Sequence, residues 1–199
     1  RIGVQRLEEA ADRHAFRNHG AIIEFQRRGL PARVLGDVLG RLVLARGQTP
    51  SLELDDGTVI AESVAICRFL EALHPDPPLF GRTPTEIGVI EMWNRRVEMI
   101  LMPPVGAVWV HTHRFTAALP GRNAEWGERN RPRIADAFAF FDRSLENSEF
   151  LAGDKFSMAD ILLLTTVDFA TFIGSGPDAA NGALMRWHEA VSARPSASA

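Results

Sequence analysis

Gln48-Thr-Pro-Ser-Leu-Glu-Leu-Asp-Asp-Gly-Thr-Val-Ile-Ala-Glu-Ser-Val-Ala-Ile-Cys-Arg-Phe-Leu-Glu-Ala-Leu-His74 is the stretch whose reading decides the fold. Residues 51–54 and 58–60 are short extended runs. Asp56-Gly57 between them is a strong hairpin signal, because a tight two-residue turn needs central residues that tolerate positive φ. Pro50 stands before the first run, where a proline need not donate to a strand ladder. Ser63 then reads as the cap of a helix whose apolar positions Val64, Ile66, Phe69, Leu70 and Leu73 share a face.

This stretch has the makings of an anion site. A helix N-terminus presents unpaired N–H groups and a partial positive charge, which suits a carboxylate. Ser63 adds a hydroxyl, and Glu62 offers a partner for an ammonium group. If the Thr49-Pro50 bond is cis, the backbone of Thr49 turns outward and pairs with a peptide-like ligand as an added strand. A serine that merely caps its helix beside a solvated acid is the competing reading of Glu62-Ser63.

Outward from this core, the prolines of His74-Pro75-Asp76-Pro77-Pro78 end the helix and read as a linker. Everything beyond reads as helical. Thr83-Pro84-Thr85-Glu86 opens a helix with a cap, a proline at the first position and a glutamate three residues after the cap. It runs to about Met102, where Pro103-Pro104 is expected to break or kink it before residues 105–113 resume. A second helix is expected over 131–145, with Ile134, Phe138, Phe141 and Leu145 on one stripe. Ser157 and Asp160 make a capping box for a third, with Phe156 and Ile161 as its hydrophobic staple. A fourth covers 183–193.

Upstream, residues 7–28 show interrupted helical spacing, Gly29 suits a helix stop, and residues 31–38 read as a strand. A small α/β unit, a linker and an all-α unit follow in that order. The domains are expected at 1–74 and 84–199, with a linker over 75–83.

Composition bounds the function. The 199 residues are 46% hydrophobic, enough for a core. A net charge of -3 gives no hint of nucleic acid or an anionic membrane. No apolar run reaches the length of a membrane span, and no secretory leader is visible. The lone Cys67 allows no internal disulfide and reads as a buried structural thiol in a cytoplasmic protein. His111 and His113, two apart on a helix, point in different directions, so no metal site is expected. Met102, Val105, Trp109 and His113 form a candidate wall for an apolar ligand, with plain core packing as the equal alternative.

The order Gln-Thr-Pro, strand, Asp-Asp-Gly, strand, Glu-Ser, helix resembles the glutathione transferase family. His74-Pro75 and Pro77-Pro78-Leu79-Phe80-Gly81 are similar to that family's interdomain linker. Glu91-Met92-Trp93-Asn94-Arg95-Arg96-Val97-Glu98 is similar to its long first helix of the helical domain, and Phe156-Ser157-Met158-Ala159-Asp160 to its helix-nucleating box. The resemblance covers about residues 46–199. It implies a thioredoxin-like N-terminal domain, a helical-bundle C-terminal domain, a homodimer, and glutathione as co-substrate.

Carried over, Thr49 and Pro50 would meet the cysteinyl backbone of glutathione. Glu62 and Ser63 would hold its γ-glutamyl end. Met102, Val105, Trp109 and His113 would face a hydrophobic electrophile. The implied reaction is conjugation of the glutathione thiolate to that electrophile, as in detoxification. The alternatives are a non-catalytic glutathione-binding or interaction module, or a peroxidase, isomerase or dehalogenase variant of the same chemistry.

One departure matters. The family ionises the thiol with a Tyr, Ser or Cys near the start of the first helix, because the thiolate is the nucleophile. This chain has no tyrosine, and its first serine is Ser51, already past Pro50. The catalytic residue is therefore unknown; Asn18, His19 or Thr49 could donate a hydrogen bond, and nothing in the sequence selects among them. Either an N-terminal part is missing or altered, or this is a divergent member that binds glutathione without the usual activator.

Overall fold

The computed structural model describes residues 51–54 and 56–197. The expected helix over 7–28, the strand over 31–38, and Thr49 and Pro50 with the isomer of their bond lie outside the described residues. The chain divides into two compact units. One runs up to Leu79 and takes in the tail from Pro195, and the other runs from Phe80 to Arg194. The division falls within the proline-rich stretch 75–83.

In the first unit, β1 (Ser51–Glu53) and β2 (Val59–Ala61) pair antiparallel. Ser51 stands opposite Ala61, and Leu52 opposite Ile60. The turn differs from the expected two-residue form. Gly57 N–H donates to Leu54 O at 2.9 Å, and Leu54 N–H to Thr58 O at 2.8 Å. Gly57, at φ 82°, is the turn's described residue with positive φ. These bonds make a three-residue loop, in which a four-residue turn hands over to a glycine in the left-handed region. Asp56 Oδ1 braces it by accepting Thr58 N–H at 2.8 Å.

α1 (Ser63–Leu73) follows at once. Leu52 of β1 packs with Ile66 and Leu70 of α1, and Leu54, Ile60 and Phe69 close around them. Cys67 is buried beside them, and burial, with Glu71 next, pushes its thiol up to about 12. It is a packing residue and no nucleophile. Leu79 N–H donates to Glu71 Oε2 at 2.7 Å, which ties the end of this unit to α1.

The second unit opens on α2 (Pro84–Arg96) with the expected capping box. Thr83 Oγ1 accepts Glu86 N–H at 3.2 Å, while Glu86 Oε2 accepts the N–H groups of Thr83 and Arg82 at 3.1 and 3.0 Å. Gly81, at φ 85°, lets the chain turn in so closely that an added Cβ would lie 2.7 Å from Glu86 Cβ. Lys155 Nζ meets Glu86 Oε1 at 2.9 Å.

The backbone N–H of Arg82, then Lys155 and the backbone N–H of Thr83, hold the Glu86 carboxyl down to about 2. A carboxyl depressed in the folded state stabilises above its unfolded value and stops doing so as pH falls through its folded value. Glu86→Gln is therefore expected to flatten the acid limb of the stability profile between about pH 4.5 and about pH 2. Urea midpoints across that range check it, and an unchanged acid slope would refute the assignment.

Pro103 and Pro104 do not break the helix. α2 passes without interruption into a π-helical turn (Val97–Leu101) and then α3 (Met102–Thr112). Met102 N–H bonds Val97 O, one residue further back than in an α-helix. The wide turn accommodates the two missing N–H donors and the ring crowding that prolines bring to a regular helix. α4 (Ala124–Leu145) also differs: it starts well before the expected residue 131 and carries Pro132 inside it. Its cap is Asn123, whose Oδ1 accepts Trp126 N–H at 3.0 Å.

α5 (Met158–Phe172) is buried along most of its circumference and forms the centre of this unit, while α6 (Gly182–Ser192) closes it. Val97, Leu101, Val108, Phe138, Phe141, Leu163 and Leu184 make the core. Asp160, itself fully buried, holds the start of α5. Its Oδ2 accepts the N–H and hydroxyl of Ser157, and its Oδ1 accepts Leu151 N–H and the Trp187 indole N–H, all at 2.9–3.1 Å. Burial pushes this carboxyl above its ordinary value, and the four donated bonds pull against that shift. Trp187 thus does more than pack. Its neighbour His188 pairs through Nε2 with Asp168 Oδ1 at 2.7 Å and joins α6 to α5.

Candidate functional site

The register of the hairpin positions the first candidate site. Ser51, next in sequence after Thr49-Pro50, lies opposite Ala61, and Glu62 follows Ala61 directly. The start of β1 and the start of α1 are therefore at one end of the hairpin.

Glu62, and not Ser63, is the cap residue of α1. It stands at φ 72° and ψ 126°, the one non-glycine residue at positive φ among the described residues. Such a backbone costs about 1–3 kcal/mol and persists where its surroundings impose it, most often at ligand sites. Its side chain makes no capping bond. Ser63 becomes the first helical residue, with its side chain partly exposed.

The correction matters chemically. A serine that caps its own helix spends its hydroxyl on the helix. At the first helical position Ser63 presents hydroxyl and N–H together, at the positive end of the dipole. Ile66 N–H already bonds Glu62 O at 3.0 Å, so the donors that precede it are the ones a ligand carboxylate would take. Ser51 Oγ is buried at the β1 end with no hydrogen-bond partner among the described residues.

The second candidate site separates into two kinds of residue. Trp109 and His113 come together, with ring centroids 4.6 Å apart, and both are partly exposed. Val105 is 2% exposed and belongs to the core, while Met102 is exposed at the start of α3. The structure adds Phe115, Phe169 and Phe172, which sequence reasoning missed. Trp109 lies 5.2 Å from Phe169, and His113 lies 5.0 Å from Phe115 and 5.4 Å from Phe172. The spacing of Phe169 and Phe172 on one helix was the available signal.

His111 and His113 each spend Nδ1 on a backbone N–H, of Asn123 at 3.0 Å and of Phe115 at 3.3 Å. Among the described residues no group of three metal-ligating side chains occurs. No described helix is long and apolar enough to cross a membrane.

Comparison with known proteins identifies the family. The family model "Glutathione S-transferase, N-terminal domain" matches residues 30–73, and "Glutathione S-transferase, C-terminal domain" matches residues 101–195. Glutathione S-transferase 2 of Saccharomyces cerevisiae is 40% identical over 155 residues, which is 75% of this chain and 65% of that protein. The chain thus spans just under two thirds of that relative's length.

The crystal structure of Gtt2 from Saccharomyces cerevisiae superposes with a TM-score of 0.72 at 38% identity, covering 77% of this chain and 74% of that one. A class Gtt2 glutathione S-transferase of Vibrio parahaemolyticus superposes with a TM-score of 0.66 at 36% identity, covering 76% and 71%. With a thioredoxin-like N-terminal domain and a helical C-terminal domain, the chain belongs to the glutathione S-transferase family.

Proposed function

We propose that this protein is a glutathione transferase, which joins the thiolate of glutathione to a hydrophobic electrophile. The observation that carries the binding half is the strained backbone of Glu62 directly before Ser63. It sets the hydroxyl and N–H of Ser63 at the helix start, where a γ-glutamyl carboxylate is stabilised. Glu62 is placed to take the ammonium of the same end. Thr49 and Pro50 complete the site on the cysteinyl backbone. The names of the relatives support the transferase reading.

In this reading residues 1–74 form the glutathione domain, 75–83 the linker and 84–199 the helical domain. The protein works as a cytoplasmic homodimer in detoxification, with no metal. Trp109 and His113 stand against the electrophile, with Met102 exposed at the start of the same helix and Val105 in the core behind it. The thiol-activating residue is unassigned.

Ser63→Ala tests the site. Loss of a hydroxyl donated to a carboxylate is expected to weaken glutathione binding about tenfold or more. Titration calorimetry reads it, alongside retention on immobilised glutathione. An unchanged affinity would sink the assignment. Turnover of a chromogenic aryl halide separates catalysis from binding, since retention without turnover describes a binding module.

A further inference from the structure

The aromatic wall of the second unit carries, on His113, a polar donor with no acceptor among the described residues. Trp109, His113, Phe115, Phe169 and Phe172 are linked by ring contacts, and Phe115 and Phe169 each stack near-parallel on Phe172 at 6.3 and 6.2 Å. Phe172 is 40% exposed and the other four are partly exposed, so the wall has a solvent-facing edge.

His113 Nδ1 accepts Phe115 N–H at 3.3 Å, so in the neutral ring the proton sits on Nε2. Burial first, and Arg114 second, hold the pKa of this ring below its ordinary value, which keeps it neutral at pH 7. Among the described residues Nε2–H meets no acceptor. Backbone oxygens at this end of α3 are already engaged. Arg122 donates to Val110 O and His113 O, both at 3.0 Å, and Thr116 Oγ1 donates to Trp109 O and His113 O, both at 2.8 Å. The Arg114 guanidinium lies 4.9 Å from the Phe115 ring centre. Among the described residues the rim is thus rich in donors and positive charge and offers Nε2–H no protein acceptor, which a ligand can supply.

We propose that His113 makes this wall selective for planar conjugated molecules that bear a carbonyl or nitro oxygen. The ligand's rings lie against Trp109 and Phe172, and its oxygen accepts the His113 Nε2–H. Offset aromatic contact gives affinity to any flat apolar molecule. The hydrogen bond gives the preference, because a ligand without the acceptor leaves a half-buried donor unmatched. The inference rests on the reading of this wall as the electrophile's site.

The test uses the full chain without glutathione and follows quenching of tryptophan fluorescence, with Trp109→Phe identifying the responding ring. The probes are 2-acetylnaphthalene and 2-ethylnaphthalene, alike in shape and different in the acceptor. The wild-type protein is expected to prefer the ketone about tenfold, the size of one hydrogen bond. His113→Phe is expected to bring that ratio close to one, and His113→Gln, which keeps a donor, to restore part of it. Circular dichroism and thermal unfolding establish that each variant is folded.

Equal affinities in the wild type, or a preference that survives His113→Phe, overturn the proposal. Binding of neither probe overturns both the proposal and the electrophile-site reading. Discrimination without turnover of an aryl halide keeps the proposal and removes only the transferase reading.

Discussion

Asp160→Ala is expected to cost about 3–5 kcal/mol of stability, a large share of the 5–15 kcal/mol that holds a typical domain. The buried carboxylate is the acceptor for two backbone N–H groups, one hydroxyl and one indole N–H. The hydroxyl can turn to another partner. The N–H groups of Leu151, Ser157 and Trp187 cannot, and each stranded donor costs about 1–3 kcal/mol. Asp160→Asn is expected to fall between wild type and Ala. Its carbonyl can serve one side, but its amide then faces the Ser157 N–H, donor against donor. Urea unfolding of the three proteins decides the matter. A loss below about 1 kcal/mol for Asp160→Ala would mean that water or a rearranged loop replaces the carboxylate.

Gly127→Ala is expected to destabilise, against the rule that alanine improves a helix. Propensity alone predicts a gain of about 1 kcal/mol. At Gly127, however, the new Cβ would lie 2.4 Å from Thr112 Cγ2 and 3.0 Å from His111 Cβ, where α4 crosses α3. Thr112 cannot easily swing aside, because its hydroxyl donates to Val108 O at 2.7 Å. Overpacking of this kind costs about 1–3 kcal/mol, so the steric term wins by a modest margin. Gly88 supplies the control, since a Cβ there meets nothing within 4 Å. Gly88→Ala is expected to raise the melting temperature and Gly127→Ala to lower it. Thr112→Ser, which removes the clashing methyl, is expected to rescue Gly127→Ala. Equal gains from both glycine variants would show that the helices shift freely at their crossing.

What the sequence revealed and what it hid divide along the range of the interactions. The starts of α2 and α5 were legible because a cap and its partner lie three residues apart. The hairpin was legible from Asp56-Gly57, although its loop length was not, since that depended on where Leu54 and Thr58 closed their bonds. The segment proposed to hold glutathione could be read because hairpin and helix start are contiguous in the chain. The order Glu62 as cap and Ser63 as first helical residue needed backbone angles.

Pro103-Pro104 misled for one reason. The rule that proline ends a helix is local, and the surrounding packing of α2 to α5 overrides it. The bond from Trp187 to Asp160 spans 27 residues and left no trace in the spacing of either. The aromatic wall draws on three separate segments, of which only the α3 part was singled out.

The backbone at Glu62 sets up a conflict between two selective pressures. Every residue except glycine is strained at that torsion, so random drift toward greater robustness favours glycine there, which relaxes the loop and discards the carboxylate. A lineage that keeps an acid at this position bears a standing disadvantage, which use of the proposed site would offset. Among homologous chains, the identity of this one residue therefore serves as a historical marker. Under the proposed role of Glu62, an acidic side chain there is expected to accompany binding of an amino-acid-like ligand, and a glycine its loss.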